Sequence, residues 1–108
     1  MNKPFEVQLT RNTEKDLFQM RDLTEMAVRE VLKLKQEPYK GHPLKGSLRG
    51  ARALEFSLKG VAYRAAYIIL EKENICLVFM IGVHEGFYEK AERRVRALRR
   101  QARFPQEK

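Results

Sequence analysis

The feature that most constrains this chain is an uninterrupted apolar run, Ile-Cys-Leu-Val-Phe-Met-Ile, at residues 75–81. A strand made from this run is apolar on both faces, which is typical of a central strand of a sheet. The run is too short for a helix that spans a bilayer, which takes about 20 residues. We therefore predict a buried strand here, with the single cysteine of the chain, Cys76, inside it as an unreactive thiol.

Five further segments have the signals of strands, turns or loops. Polar and apolar residues alternate at residues 5–10 and 52–58, and residues 61–70 are rich in Tyr and Ile, so each of these segments predicts a strand. The polar residues 71–74 predict a hairpin turn before the central strand. Residues 38–50 combine Gly, Pro and Ser and predict a loop with turn chemistry.

Two segments have helical spacing. Residues 13–36 contain no Gly or Pro, and their apolar residues recur every three or four positions. This predicts two antiparallel helices that break near residues 21–24, although one long helix also fits. Asn12 or Thr13 would cap the first helix. Residues 85–103 predict a final helix, whose apolar stripe is formed by Phe87, Ala91, Val95, Leu98 and Ala102. The opposite side of that helix would carry Arg93, Arg96, Arg100 and Arg103.

The order of these elements, β-αα-βββ-α, predicts one α+β domain over residues 1–108. We expect a small antiparallel or mixed sheet with an N-terminal helical hairpin and a C-terminal helix packed against it. With 108 residues, 44% of them apolar, the chain is long enough to bury one core. Residues 1–9 lack the apolar segment of a secretory signal, so we expect a soluble cytoplasmic protein with no membrane partner.

The positive charge is segregated along the chain. Residues 1–37 hold seven basic and seven acidic side chains, whereas residues 38–108 hold fifteen basic and seven acidic ones, so the whole net charge of +8 belongs to the second part. Such a field attracts a polyanion and speeds its encounter, which favours RNA binding. An acidic protein partner or an anionic membrane would also fit. Solubility alone would not require the segregation.

Common cofactor and metal motifs are absent from the sequence. It contains no P-loop, no dinucleotide-binding glycine motif and no nucleophile elbow. Two widely separated histidines and one cysteine inside a strand do not resemble a zinc site, so we predict no metal and no organic cofactor. What remains is a set of polar residues in the basic part of the chain: His42, Lys45, Arg49, Glu55, Arg64, His84, Glu85 and Tyr88.

These residue types suit the cleavage of RNA without a metal. The 2′-hydroxyl loses a proton to a base and attacks the adjacent phosphorus, while an acid protonates the leaving 5′-oxygen and cations stabilise the charge on the phosphate. Histidine serves as base or acid near neutral pH, arginine matches phosphate oxygens with paired hydrogen bonds, and tyrosine stacks on a nucleobase. Most basic domains contain these types, so composition alone does not decide the function.

Three segments, in this order and spacing, resemble the RelE/ParE toxin superfamily of bacterial toxin–antitoxin systems. Residues 42–50, His-Pro-Leu-Lys-Gly-Ser-Leu-Arg-Gly, are similar to the family's Pro-Leu-x-Gly-x-x-x-Gly loop. Residues 62–67, Ala-Tyr-Arg-Ala-Ala-Tyr, are similar to its Tyr-Arg-hydrophobic-hydrophobic-Tyr strand. Residues 81–88, Ile-Gly-Val-His-Glu-Gly-Phe-Tyr, are similar to its ending of Gly-x-(Arg or His) and Tyr. The likeness covers nearly the whole chain and implies a RelE-like fold.

The resemblance implies an mRNA endoribonuclease that acts on the ribosome. His42 corresponds to a proton-transfer position, Arg64 to the arginine at the scissile phosphate, His84 to a basic or histidine position, and Tyr88 to a functional aromatic residue. The resemblance also implies a cognate acidic antitoxin that masks the basic site, in a toxin–antitoxin hetero-oligomer. The residues that we expect to bind RNA or phosphate are Lys45, Arg49, Arg52, Arg93, Arg96 and Arg100.

The sequence leaves alternatives open. Some family members end near the aromatic residue, whereas this chain continues in an Arg-rich helix, and others have an arginine at the position of Met80. A ParE-like inhibitor of DNA gyrase is one rival function, against which the two histidines argue mildly. A non-catalytic RNA- or ribosome-binding module is another. The candidates also have structural alternatives, since Arg64 could pair with Glu55, His42 could lie in a turn, and Tyr88 could pack on the last helix.

Overall fold

The computed structural model describes residues 3–104, which form a five-stranded mixed sheet with helices on both faces. The strands are β1 (Glu6–Leu9), β2 (His42–Pro43), β3 (Arg52–Leu58), β4 (Val61–Leu70) and β5 (Ile75–Val83). Their order across the sheet is β1-β5-β4-β3-β2. Only β1 and β5 run parallel, and the other neighbours are antiparallel. The predicted α+β class with a mixed sheet is confirmed.

The apolar run of residues 75–81 forms most of β5, which lies between β1 and β4. Every residue from Cys76 to Ile81 is buried, as predicted for a strand that is apolar on both faces. Burial raises the pKa of the Cys76 thiol to about 11, so very little reactive thiolate forms at neutral pH.

A β-bulge interrupts the pairing of β4 with β5. Ala66 pairs with Met80, whereas the next residue, Tyr67, pairs with Val78, which leaves Phe79 as an extra residue in β5. Phe79 and Met80 therefore both pack against the same core cluster. Beyond this point, alternation along β5 continues with the opposite parity.

The sheet separates two apolar cores. On the face that we call the α3 face, Ala53, Ala66, Ile68, Leu77 and Phe79 pack against helix α3 (Phe87–Arg100). On the opposite face, Leu54, Ala65, Tyr67, Val78 and Ile81 pack against helices α1 (Arg11–Gln19) and α2 (Thr24–Leu32). A short 3-10 helix, Arg21–Leu23, separates α1 from α2, which confirms the predicted break near residues 21–24.

Helix α1 begins earlier than predicted. The cap is Thr10, whose side chain accepts a hydrogen bond from the backbone N–H of Thr13 at 3.1 Å. Neither Asn12 nor Thr13 is the cap, because both lie inside the first turn. Thr13 is buried and donates its hydroxyl to the carbonyl of Val78 at 2.8 Å.

Helix α3 buries the predicted residues Phe87, Ala91, Val95 and Leu98. It ends at Arg100, three residues before the predicted end. Ala102, the last member of the predicted apolar stripe, is exposed and has a positive φ of 57°, so that assignment is wrong. The chain turns there and returns Phe104 to the core against Gly50.

One buried ion pair joins α1 to α3 at the edge of β5. Arg94 donates from both terminal nitrogens to Asp16, at 2.6 and 3.0 Å, and from Nη1 to the carbonyl of Phe79 at 3.0 Å. Asp16 also accepts the backbone N–H of Ile81 at 3.0 Å. Since β1 pairs with β5 only as far as Val78, these two side chains satisfy backbone groups that β1 does not reach.

Candidate functional site

An open cleft of about 430 Å³ lies where β3 ends, β4 begins and β5 ends. The residues that line it are Glu55, Phe56, Ser57, Ala62, Tyr63, Arg64 and His84. Two of the four predicted catalytic residues, Arg64 and His84, are therefore part of its wall.

Arg64 is held in the middle of the sheet. In the strand register it lies directly opposite Glu55 on one side and Gly82 on the other. Alternation along β4 places it on the same face as the buried Ala66, which is the α3 face.

Three polar side chains contact the Arg64 guanidinium. Its Nη1 lies 2.8 Å from Nδ1 of His84 and 3.1 Å from the hydroxyl of Tyr88. Its Nε lies 3.3 Å from Oε2 of Glu55. The Arg64 side chain is 20% exposed, so this group is ordered by its neighbours and still accessible from the cleft. Three residues that were predicted separately thus form one cluster.

The contact with Arg64 determines which nitrogen of His84 carries a proton. A guanidinium is a donor only, so Nδ1 of His84 accepts this hydrogen bond and must be unprotonated. The hydrogen bond therefore assigns the ring proton to Nε2. A basic nitrogen lone pair is thereby kept next to the cation that would hold a phosphate.

The bulge in β5 gives His84 its direction. Without the extra residue Phe79, strict alternation from Leu77 would bring Val83 to the α3 face and turn His84 to the other face. With the bulge, Gly82 and His84 take positions on the face of Arg64, which the 2.8 Å contact reflects.

Two aromatic rings border Arg64 on the other side. Its guanidinium carbon lies 5.4 Å from the ring centroid of Tyr88 and 6.0 Å from that of Phe87, within the range of cation–π attraction. Gly86, in the left-handed conformation with φ of 68°, turns the chain from β5 into α3 and so brings Tyr88 next to Arg64. Phe87 is buried, whereas Tyr88 keeps 38% of its surface exposed.

His42 joins the cluster through Glu55. It forms strand β2, pairs with Ala53, and has its Nε2 4.0 Å from Oε2 of Glu55. That distance is too long for a hydrogen bond and is an ion-pair distance only when the imidazole is protonated. Glu55 therefore lies between two side chains, His42 on one side and Arg64 on the other.

Tyr67 holds the backbone that precedes His42. Its buried hydroxyl donates to the carbonyl of Pro38 at 2.7 Å and accepts the N–H of Gly41 at 2.9 Å. Burial raises the pKa of Tyr67 above its ordinary value. A Cβ at Gly41 would lie 2.6 Å from the carbonyl oxygen of Ala53 and 2.8 Å from the Tyr67 hydroxyl, so only glycine fits there. The segment predicted as a loop with turn chemistry thus contains a short strand, His42–Pro43, whose start is held in place.

Arg52, which was predicted to bind RNA or phosphate, lies away from the cleft. It donates to the carbonyl of Gly41 from Nε at 3.0 Å and from Nη2 at 2.6 Å, and its guanidinium lies 5.2 Å from the ring centroid of Tyr39. It lies opposite Tyr67 in the register, on the face away from Arg64. The structure does not bring Arg52 to the cleft, because it is used to hold the backbone before His42.

The other predicted RNA-binding residues lie on the surface outside the cleft lining. Lys45 and Arg49 flank a short 3-10 helix, Gly46–Leu48, and both are exposed. Three exposed residues on α3 complete the set: Arg93, Arg96 and Arg100. Their exposure is compatible with a polyanion partner, and no described contact ties them to Arg64.

Sequence reasoning placed Glu55 only as a charge partner of Arg64, and that ion pair is present. It did not assign Glu55 a place beside His42, which depends on the pairing of His42 with Ala53 two residues earlier on β3. It also missed a stacked pair of aromatic rings, Phe56 and Tyr63, with centroids 6.0 Å apart. Cross-strand register is the missing information in both cases.

Within residues 3–104, no group of three or more His, Cys, Asp or Glu side chains is placed to hold a metal ion. In the same part of the chain, no helix combines the length and the apolar character needed to cross a membrane.

Solved structures define the class of fold. A chain of the toxin–antitoxin complex RelBE2 from Mycobacterium tuberculosis is 24% identical, with a TM-score of 0.63 over 78% of this chain and 95% of that one. A double mutant of the Escherichia coli toxin RelE in the free state is 14% identical, with a TM-score of 0.69 over 88% and 98%. A chain of the intact E. coli RelBE toxin–antitoxin complex is also 14% identical, with a TM-score of 0.61 over 75% and 98%. The fold is that of the RelE toxins.

The sequence itself matches a family model. Residues 7–92 match the model described as the ParE-like toxin of type II bacterial toxin–antitoxin systems. The chain therefore belongs to the ParE-like toxin family. No curated protein is similar enough in sequence to match it. The suspected membership of the RelE/ParE superfamily is thus confirmed.

Proposed function

We propose that this toxin is an endoribonuclease that cleaves mRNA on the ribosome by attack of a 2′-hydroxyl on the adjacent phosphate, without a metal ion. The observation that carries the proposal is that one arginine in the wall of the cleft contacts both a histidine and a tyrosine. Arg64 Nη1 lies 2.8 Å from His84 Nδ1 and 3.1 Å from the Tyr88 hydroxyl.

Arg64 is the proposed phosphate ligand. A guanidinium suits the two non-bridging oxygens of a phosphodiester because its donors form a fork. The negative charge that develops at phosphorus during attack strengthens this interaction in the transition state. Binding of the phosphate would withdraw Nη1 from His84.

The two histidines are the proposed proton carriers. His42 takes the proton of the 2′-hydroxyl, the O2′–P bond forms and the P–O5′ bond breaks. His84, released from Arg64 and next to an anionic phosphate, takes up a proton and donates it to the leaving 5′-oxygen. The products are a 2′,3′-cyclic phosphate and a 5′-hydroxyl. Tyr88, with its partly exposed ring, would stack on or orient a neighbouring nucleotide.

Ribosome dependence is proposed from the basic surface outside the cleft. Lys45, Arg49, Arg93, Arg96 and Arg100 are all exposed. All five lie in residues 38–108, which carry the whole net charge of +8. Long-range attraction to ribosomal RNA would concentrate the toxin at its substrate. An acidic cognate antitoxin that covers the same surface, in a hetero-oligomer, is the proposed regulator.

Primer extension on a reporter mRNA in a cell-free translation reaction tests the proposal. Wild-type protein should give new 5′ ends only when the mRNA is being translated. Replacement of the nucleotide 5′ of a mapped cut by its 2′-deoxy form should abolish that cut, since the nucleophile is then missing. The proposal fails if the mRNA stays intact or if the 2′-deoxy form is cut equally well.

If the mRNA stays intact, two further measurements identify the alternative function. Trapped gyrase–DNA complexes would instead identify a gyrase inhibitor, which the family description as ParE-like makes the first alternative. Tight, salt-sensitive RNA binding without growth arrest on expression would identify a non-catalytic RNA-binding module.

A further inference from the structure

An acidic side chain lines the proposed RNA site. Among the residues that line the cleft, Glu55 is the acidic one, and its side chain is 52% exposed. A carboxylate that faces a phosphodiester opposes RNA binding by like-charge repulsion. Its presence in the cleft therefore requires a benefit other than affinity.

Support of Arg64 does not account for Glu55. Arg64 already contacts His84 and Tyr88 and lies against the ring of Phe87. The contact with Glu55 is made by Nε alone, at 3.3 Å, and because the carboxylate is 52% exposed the pair contributes little to stability. The terminal nitrogens, which would meet the phosphate, do not depend on it.

The second contact of Glu55 is more informative. Its Oε2 lies 4.0 Å from Nε2 of His42, on the neighbouring strand of the same sheet. A carboxylate facing one ring nitrogen favours the tautomer with the proton on that nitrogen, so that the other nitrogen keeps its lone pair. It also stabilises the imidazolium once the ring has accepted a second proton.

We infer that Glu55 is a positioning residue for His42. With its proton on Nε2, toward Glu55, His42 presents Nδ1 as the base. When Nδ1 accepts the proton of the 2′-hydroxyl, the resulting imidazolium is stabilised by Glu55, and no proton passes to the carboxylate. This inference rests on the proposed function, because it assigns a role within that reaction.

The inference predicts opposite changes in rate and in affinity. Glu55→Gln keeps the size of the side chain and removes its charge. The single-turnover rate constant of cleavage at saturating toxin should fall roughly 10–100-fold, by analogy with the carboxylate partners of metal-ligating histidines. The half-saturating toxin concentration should fall as well, because one repulsive charge has left the site. A merely structural role would raise that concentration or leave both values unchanged.

The experiment is a double-mutant cycle with Glu55→Gln and His42→Ala on ribosomes programmed with one defined mRNA. If Glu55 acts through His42, adding Glu55→Gln to His42→Ala should change the rate constant less than about twofold. Glu55→Asp, which retains the charge, should recover part of the rate. Glu73→Gln, an equal charge change in the exposed turn at the other end of β4, is the matched control and should behave as wild type.

Three outcomes separate the possible failures. If wild-type toxin leaves the mRNA intact, the proposed function fails and this inference falls with it. If wild-type toxin cleaves but Glu55→Gln cleaves equally fast, or if the two changes multiply independently, the inference alone is overturned. If Glu55→Gln weakens RNA binding, the charge of Glu55 supports affinity and the inference is likewise overturned.

Discussion

Two arginine–carboxylate pairs stand on either side of β5, and they differ in how completely they are satisfied. In the pair formed by Arg94 and Asp16, the side chains are 13% and 8% exposed. Both terminal nitrogens of Arg94 reach the carboxylate, and the remaining contacts go to the backbone of β5. In the pair formed by Arg64 and Glu55, the exposures are 20% and 52%, and one contact of 3.3 Å joins them.

The difference separates a structural arginine from one that can bind a ligand. Both terminal nitrogens of Arg94 are bound, to Asp16 and to the carbonyl of Phe79, so its charge serves the fold. Arg64 has partners that can give way: a histidine, a tyrosine and a half-exposed carboxylate. An anion can replace these at little cost. The proposed phosphate role of Arg64 depends on this incomplete satisfaction.

Of these variants, the one that lacks Arg64 should show the largest effect, and that effect should be on the cleavage rate and not on stability. Arg64→Ala should lower the cleavage rate about 10³-fold, as expected when a phosphate-stabilising cation is removed. The free energy of unfolding should change by less than about 1 kcal/mol, because Glu55 remains solvated. Primer extension and urea unfolding measure the two quantities. Full activity of Arg64→Ala would eliminate the proposed site.

Removal of Arg94 should have its main effect on stability. Arg94→Ala leaves Asp16 buried without a cation, which should cost about 3–5 kcal/mol of unfolding free energy. Arg29→Ala is the matched control. Its exposed pair with Glu25 on α2 is a surface contact at 3.7 Å and should contribute less than about 1 kcal/mol. Equal urea midpoints for Arg94→Ala and Arg29→Ala would show that the buried pair contributes no more to stability than the surface pair.

Tyr67 should show an intermediate behaviour, because it is structural yet holds the strand of His42. Tyr67→Phe leaves the buried N–H of Gly41 without its acceptor and should cost about 1–3 kcal/mol. It should also slow cleavage, since His42 loses its anchor. If Tyr67→Phe matches wild type in both urea unfolding and cleavage, the Tyr67 hydroxyl does not hold the backbone that precedes His42.

The pH dependence of Tyr67 has a definite sign. Its pKa is raised by burial above the ordinary value of 10.0, so the folded state keeps this proton where an unfolded tyrosine loses it. The stability from this group is fully present below about pH 10 and is lost as the pH rises through the raised value. Urea midpoints measured above pH 10 should therefore fall less steeply in Tyr67→Phe than in wild type.

The smallest effect is expected on the exposed arginines of α3. Changing Arg93, Arg96 and Arg100 to Gln should leave folding intact and weaken RNA binding mainly at low salt. The slope of log affinity against log salt should become shallower by about 0.7 for each phosphate that the variant no longer neutralises. The same change at Lys15, Arg29 and Lys35 in the charge-balanced N-terminal part is the control. Identical slopes for both triple variants would exclude α3 as an RNA-binding surface.

Much of the fold could be predicted from local patterns. Residues 75–81 are apolar without interruption, a pattern that is typical of a central strand, and they form most of β5. The break between α1 and α2 and the buried stripe of α3 also followed from spacing. The two-residue strand β2 did not, because it depends on a partner strand and on Tyr67, which is 26 residues from Gly41.

The sequence predicted which residues belong to the site but did not predict which partners each of them contacts. Arg64, His84 and Tyr88 do lie together, whereas their catalytic roles stay a prediction. Within the Arg-rich helix, Arg94 looks like its neighbours in sequence, and only the position of Asp16 on a distant helix makes it different. Arg52 shows the reverse, since its basic character predicted a phosphate contact and its guanidinium is used by the backbone of Gly41.

The bulge in β5 makes the direction of His84 depend on how β5 is aligned with β4. Because every residue from 75 to 81 is apolar, β5 could pair with β4 without the extra residue and still offer the core only apolar side chains. That alternative would point His84 away from Arg64. Phe79 and Ile81, the residues on both sides of Met80, are bound through their backbone by Arg94 and Asp16. The buried pair of Arg94 and Asp16 therefore helps to fix the register of β5. Without the pair, the chain would be able to fold with His84, the proposed proton donor, on the opposite face of the sheet from Arg64.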